Sequence, residues 1–362
     1  MKTKLLPLIL AGLMFCIVAC KKAGLSTANN ASANKSVDVY VAGFVDGQNN
    51  KAAYWKNGVI TKLTDSPSFA IARGVAVQGG DVYVAGTVTS FALSTNNAVY
   101  WKNGVANTLA DISNNSQAWG IAFQGNDLYV VGGIFSNNSF HATFWKNGTA
   151  NTLPGGIVAN AIAVNGADVY IAGSAGDPNN SVAAYWKNGV ATMLIGGFSA
   201  NTIAINGNDV YVGGTTVSGA AVYWKNGAPT MLTNDAVANK IGYSVYSIAT
   251  NGTDVFVAGG TDYNNGNTAI YDHGNGSVAT LWKNTVPQMP SVPTNTPANP
   301  LNNIVTAICL HGNDVYMASQ VINNSTQQFE SYYWKNGVPV QLSNGGTNGA
   351  FANSITVVAQ QQ

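Results

Sequence analysis

Tyr100-Trp101-Lys102-Asn103-Gly104 contains one of seven copies of a Trp-Lys-Asn segment, the others starting at Trp55, Trp145, Trp186, Trp224, Trp282 and Trp334. Six copies continue to Gly, and only Asn284 is followed by something else, Thr285. Asn-Gly between two strand-like runs is a strong hairpin signal, because a type I′ turn needs positive φ at both central residues. Successive Trp residues lie between 38 residues (Trp186 to Trp224) and 58 residues (Trp224 to Trp282) apart, a period that marks a repeat architecture.

Working outward, two further segments recur in fixed order around this hairpin. One is an Ile-Ala-Val-like run, as at Val75 to Val77, Ile162 to Val164 and Ile203 to Ile205. The other is Asp-Val-Tyr-Val-Ala-Gly-like and starts at Asp38, Asp81, Asp127, Asp168, Asp209, Asp254 and Asp314. Gly-containing turns join these two, and the Asn-Gly turn leads from the Trp segment into a short fourth strand. Each unit therefore has four strands, here a to d, and four strands at this period imply the blades of a β-propeller. Seven b and seven c strands precede a C-terminal run, Ser354-Ile355-Thr356-Val357, which has the character of a strand a. The reading is an all-β, seven-bladed propeller over residues 38–362 whose first blade is completed by the C-terminal strand, removing an open edge.

Over residues 38–359 these blades resemble bacterial β-propeller repeat proteins. The Gly-His and Trp-Asp signatures of WD40 repeats and the Asp box of sialidase-like propellers are missing. The fold hosts enzymes, lectins and scaffolds, so the resemblance transfers no activity.

Residues 1–20 have the character of an export signal: Lys2 and Lys4 precede the apolar run from Leu5 to Val18, too short for a membrane span. The run ends in Ile17-Val18-Ala19-Cys20, which resembles the lipobox of bacterial lipoproteins. That resemblance implies acylation of Cys20, export, and lipid anchoring to the outer membrane, with the periplasmic and cell-surface sides both open. Residues 21–37 are small and polar, the composition of a flexible tether. Cleavage would leave Cys20 and Cys309, so no disulfide framework is expected.

Only 9% of the 362 residues are charged and the formal net charge is +1, so no basic surface is available for nucleic acid. No cofactor and no metal site are expected, because no His or Cys spacing suits a metal. A monomer is expected. Outside the repeat, the acidic residues are Asp46, Asp65, Asp111, Asp177, Asp235, Asp262, Asp272 and Glu330, spread over different blades. A conventional glycosidase needs two carboxylates across one bond, and no such pair is visible. Asp262-Tyr263-Asn264-Asn265 is rich enough in oxygen to be a calcium candidate, although a solvated loop suits it as well. The histidines, His141, His273 and His311, are scattered.

Within the repeat, the Trp is expected to pack between blades. The Lys is expected to lay its stem on apolar surface with the ammonium in water, and the Asp to accept backbone N–H groups. The b–c and d–a loops vary in length, with insertions around Thr261 to Ala279 and Pro290 to Asn303, so their face is the candidate working face. Just before each strand a, a residue that follows a small residue or Val and precedes a small one is unrestricted: Arg73, Trp119, Asn160, Asn201, Tyr246, Thr306 and Asn353. These seven should ring the mouth of the central channel, either binding a ligand by stacking and amide hydrogen bonds or filling wedges between blades. No residue is expected to be catalytic. The composite expectation is a non-enzymatic envelope lipoprotein that binds a glycan or an envelope protein at this face. The alternatives are an assembly scaffold, docking through Phe91, Phe140 and Phe198, and a glycosidase- or lyase-like propeller enzyme.

Overall fold

The computed structural model describes residues 36–46, 49–65, 69–110, 115–177, 180–233, 240–263, 277–288, 303–323, 328–347 and 349–360. They form seven four-stranded antiparallel sheets in a closed ring. The innermost strands, each of type a, are Phe69–Gln78, Ser116–Gln124, Gly156–Asn165, Gly197–Asn206, Lys240–Thr250, Asn303–His311 and Gly349–Ala359. Each touches the next around the channel, and the last touches the first.

The C-terminal strand completes blade 1, pairing with Val37–Asp46 from Val37↔Ala359 to Asp46↔Gly349. It is longer than the run from Ser354 to Val357, because the ladder continues through Ala350 and Ala352, both fully buried. Gln360 extends the clasp by donating its backbone N–H to Ser36 O and its side-chain Nε2 to Asp38 Oδ1.

Each blade buries both faces against its neighbours, and this is why a Trp recurs at one register. The seven repeat Trp side chains are 0–2% exposed. Each belongs to a separate apolar cluster: Trp55 packs with Tyr316, Ala318 and Leu342 of blade 7, and Trp101 with Tyr40, Ala42 and Ala52 of blade 1. Burying one indole is worth a few kcal/mol, on the order of 3. Four indole N–H groups also donate backwards to a carbonyl of the preceding blade: Trp55 to Ser343, Trp186 to Pro154, Trp224 to Ile195 and Trp282 to Thr233.

The c–d hairpins turn as the Asn-Gly dipeptide requires. Asn103 has φ 49° and Gly104 φ 86°, and the other copies match them closely. A second glycine requirement lies in strand b. A Cβ at Gly132 would stand 1.9 Å from Gln117 O and one at Gly173 1.9 Å from Val158 O, so the paired strand a could not approach.

Candidate functional site: the bulged inner strands and the central cavity

The repeated polar residues assemble on the face that carries the a–b and c–d turns. In every blade the Lys Nζ meets the Asp Oδ2 at 2.7–2.9 Å. The turn Asn donates Nδ2 to the same carboxylate, as from Asn103 to Asp81 at 2.7 Å, while its Oδ1 accepts the backbone N–H of the residue after the Asp, Val82. The ammonium also stands 5.3–5.6 Å from the centre of an aromatic ring two residues beyond the Asp, Tyr83 in blade 2. Two expectations are corrected here. The Asp carboxylate takes side-chain donors, since the adjacent backbone N–H already belongs to the Asn, and the Lys ammonium is paired. The hydrogen bond from Lys, then that from Asn, holds Asp81, Asp127, Asp168, Asp209, Asp254 and Asp314 below the ordinary carboxylate value. Lys-Asn is thus a clamp that ties strand c to strand b.

On the inner strands the ladder between a and b slips by one residue in every blade. The slips fall between Ala72 and Gly74, Ala118 and Gly120, Ala159 and Ala161, Ala200 and Thr202, Val245 and Ser247, and Val305 and Ala307, with the seventh opposite Ala42/Gly43. The extra residue is Arg73, Trp119, Asn160, Asn201, Tyr246, Thr306 or Asn353. A bulge leaves its extra residue without a ladder partner and re-aims the side chain, which accounts for the freedom of composition there. Each bulge follows a residue that is 0% exposed, Ala72, Ala118, Ala159, Ala200, Val245, Val305 or Ala352. A small residue or Val, a free position and then a small residue is therefore the sequence trace of the bulge, although spacing alone did not identify it as one.

All seven bulge residues line one central cavity of about 280 Å³. Three of them are partly committed elsewhere. Asn160 Nδ2 donates to Ala200 O, Asn201 to Val245 O and Asn353 to Ala72 O, each at 2.8–2.9 Å. In each case the acceptor immediately precedes the bulge of the next blade, so these amides staple blades together. Thr306 Oγ1 donates to Ala318 O of its own blade. Wedge-filling thus describes the Asn amide nitrogens. Trp119 lies against Gly133, where a Cβ would sit 3.7 Å from its Cζ3. Among the described residues the half-buried Arg73 has no ion pair and its buried Nε has no acceptor, and burial pulls its guanidinium below the ordinary value.

No Asp, Glu, His or Lys among the described residues lines this cavity. Asp177 instead accepts from the backbone N–H and Nδ2 of Asn180, and Glu330 from Asn323 and Tyr332. His141 contacts the Ser136 carbonyl, and His311 pairs with Asp314 across an a–b turn. Phe91 and Phe198 are exposed, whereas Phe140 packs edge-on against Phe135. Cys20 with its lipobox-like run, residues 21–35 of the expected tether, Asp111, Asp235, Asp272, His273, the end of the calcium candidate and the centres of both long insertions lie outside the described residues. Among the described residues, no helix is long and apolar enough to cross a membrane.

No protein-family model matches this chain, and no curated protein does. Solved structures match it as propellers. An acylaminoacyl peptidase in complex with Z-Gly-Gly-Phe-chloromethyl ketone gives a TM-score of 0.48 at 13% identity, over 86% of this chain and 51% of that one. The β-propeller domain of the trilobed protease from Pyrococcus furiosus, described as having an open velcro topology, gives 0.47 at 9%, over 85% and 92%. A GH43 endo-arabinanase from Bacillus licheniformis gives 0.33 at 9%, over 74% and 95%. The chain spans about half the length of the acylaminoacyl peptidase chains it matches. At these identities the shared property is the propeller fold. The expectation of a non-enzymatic binding protein is corrected: the matched structures include peptidases and GH43 enzymes, with which this chain shares the fold alone.

Proposed function

We propose that the chain is a lyase-like propeller enzyme that cleaves an acidic saccharide by β-elimination at the central cavity. The observation that carries this reading is the convergence of Arg73, Trp119 and Tyr246 on one cavity whose described lining holds no carboxylate. Hydrolysis by a carboxylate pair has no groups on that wall. Elimination next to a sugar carboxylate needs a cation to neutralise the acid and one oxygen to move a proton. Arg73 supplies the first, Tyr246 Oη the second once its proton has passed to solvent, and Trp119 a flat apolar face for a sugar ring.

The step balances within these groups. Tyr246 Oη takes the proton α to the carboxylate, the C–O bond to the leaving sugar breaks, and a C=C bond forms. The electron pair of the broken bond leaves on oxygen, which takes the proton back from Tyr246. The lipobox at Cys20 supports export and anchoring of such an enzyme at the outer membrane.

Incubation with a panel of polyuronates, followed by the ultraviolet absorbance of the conjugated double bond, tests the reading. Wild type should accumulate unsaturated product, and Tyr246→Phe should lower the rate by about 100-fold or more. Absence of product from every acidic substrate, or full activity in Tyr246→Phe, would refute it.

A further inference from the structure

We propose that the cleft between blades 2 and 3 is a carboxylate subsite, with Arg73 joining it to the central cavity. The cleft encloses about 160 Å³ and is lined by Arg73, Thr87, Thr89, Asn96 and Gln117 beside two apolar residues. It opens beside the bulge of blade 2, and Arg73 lines both spaces. The inference rests on the lyase reading for the body of the ligand, while the subsite itself is read by binding alone.

Among the described residues the lining is rich in donors and holds no counter-charge. An unpaired guanidinium is costly to bury, and an oxyanion is its natural partner, held by two parallel N–H groups. Thr87 is only 6% exposed and its Oγ1 has no partner. Thr89 donates Oγ1 to Asn96 Oδ1 at 2.7 Å, which occupies the acceptor end of that amide and leaves Nδ2 as its open end. One guanidinium, one hydroxyl and one oriented amide thus line one cleft whose described walls hold no acid, the donor set a carboxylate requires. Blade 2 alone carries a cation at the bulge; the other six carry Trp, Asn, Asn, Tyr, Thr and Asn. Burial of Arg73 without any compensating charge lowers its pKa, as expected of a cation whose partner arrives with the ligand.

Calorimetric titration of the full chain with glucuronate, glucose and acetate tests the proposal. Glucuronate should bind at least about tenfold more tightly than glucose or acetate. Arg73→Gln should weaken it about 10- to 100-fold, the scale of a lost charged hydrogen bond, and Thr87→Val about fivefold. Both variants should melt no more than a few degrees below wild type, since the guanidinium has no partner among the described residues to lose. No binding of glucuronate, equal affinity in Arg73→Gln, or a severely unfolded Arg73→Gln would overturn the subsite. Acetate binding as tightly as glucuronate would reduce it to a free-anion site and overturn its link to the saccharide. Arg73-dependent binding without unsaturated product would leave the subsite standing and remove the lyase reading. Product with unchanged affinity in Arg73→Gln would do the reverse.

Discussion

Thr285 occupies the turn position that is Gly in the other six c–d hairpins, and its φ is 73°. A β-branched residue in the left-handed region is strained, because its Cβ crowds the backbone, at a cost of roughly 1–2 kcal/mol. Asn284 is at φ 49° like its counterparts and keeps its hydrogen bonds to Val255 N and Asp254, so the turn is imposed by the clamp despite Thr285. Thr285→Gly should therefore stabilise the protein by about 1 kcal/mol after the added unfolded-state freedom of Gly is subtracted. Scanning calorimetry should show a melting temperature higher by roughly 2 °C; an unchanged or lower value would mean that the turn relaxes around Thr. The turn type could be read from Asn-Gly alone. That Thr285 would hold the same geometry could not, because only the surrounding contacts override its preference.

The blade is an element whose two central strands are tied together by the Lys-Asn clamp on the Asp of strand b. In six blades the Asp carboxylate is held below its ordinary value by hydrogen bonds from Lys and then Asn. A carboxylate with a depressed folded-state pKa contributes stability that is present above the unfolded-state pKa. That contribution is lost as pH falls through the folded value. Thermal melts should be flat from neutral pH to about 5 and fall below about 4. Because the pairs are exposed, the fall should be altered by added salt. A melting temperature constant from pH 5 to 2 would contradict the clamp. Lys, Asn and Asp were each visible as repeats, but their mutual contact was not. The Asp opens one strand and the Lys closes another, so pairing depends on the b–c register.

At the scale of the whole molecule, ring closure rests on the ten-residue ladder between Val37–Asp46 and the C-terminal strand. The apolar cluster around Trp55, Tyr316 and Leu342 seals blade 7 to blade 1. Truncation before Gly349 would expose strand Val37–Asp46 as an unpaired edge and open that cluster. The truncated chain should self-associate through the free edge and unfold over a broader transition than wild type. Light scattering coupled to size exclusion would detect this, and a sharp, monomeric melt would show that the clasp is dispensable. The central cavity belongs to this scale too, since its seven bulge residues come from seven blades and meet only when the ring shuts.

Read locally, the amino-acid order already specifies the four-strand unit, its sevenfold count, the Asn-Gly turns and the closing C-terminal strand. These follow from local φ preference, from alternating burial, and from counting strands that must each find a partner. The convergence of the seven variable residues was also legible, because identical blades put equivalent positions at equivalent radii. The assembled ring settles that each is a bulge, that three Asn amides staple neighbouring blades, and that no described residue gives Arg73 a counter-charge. Those outcomes depend on distances between different blades, which no local preference encodes.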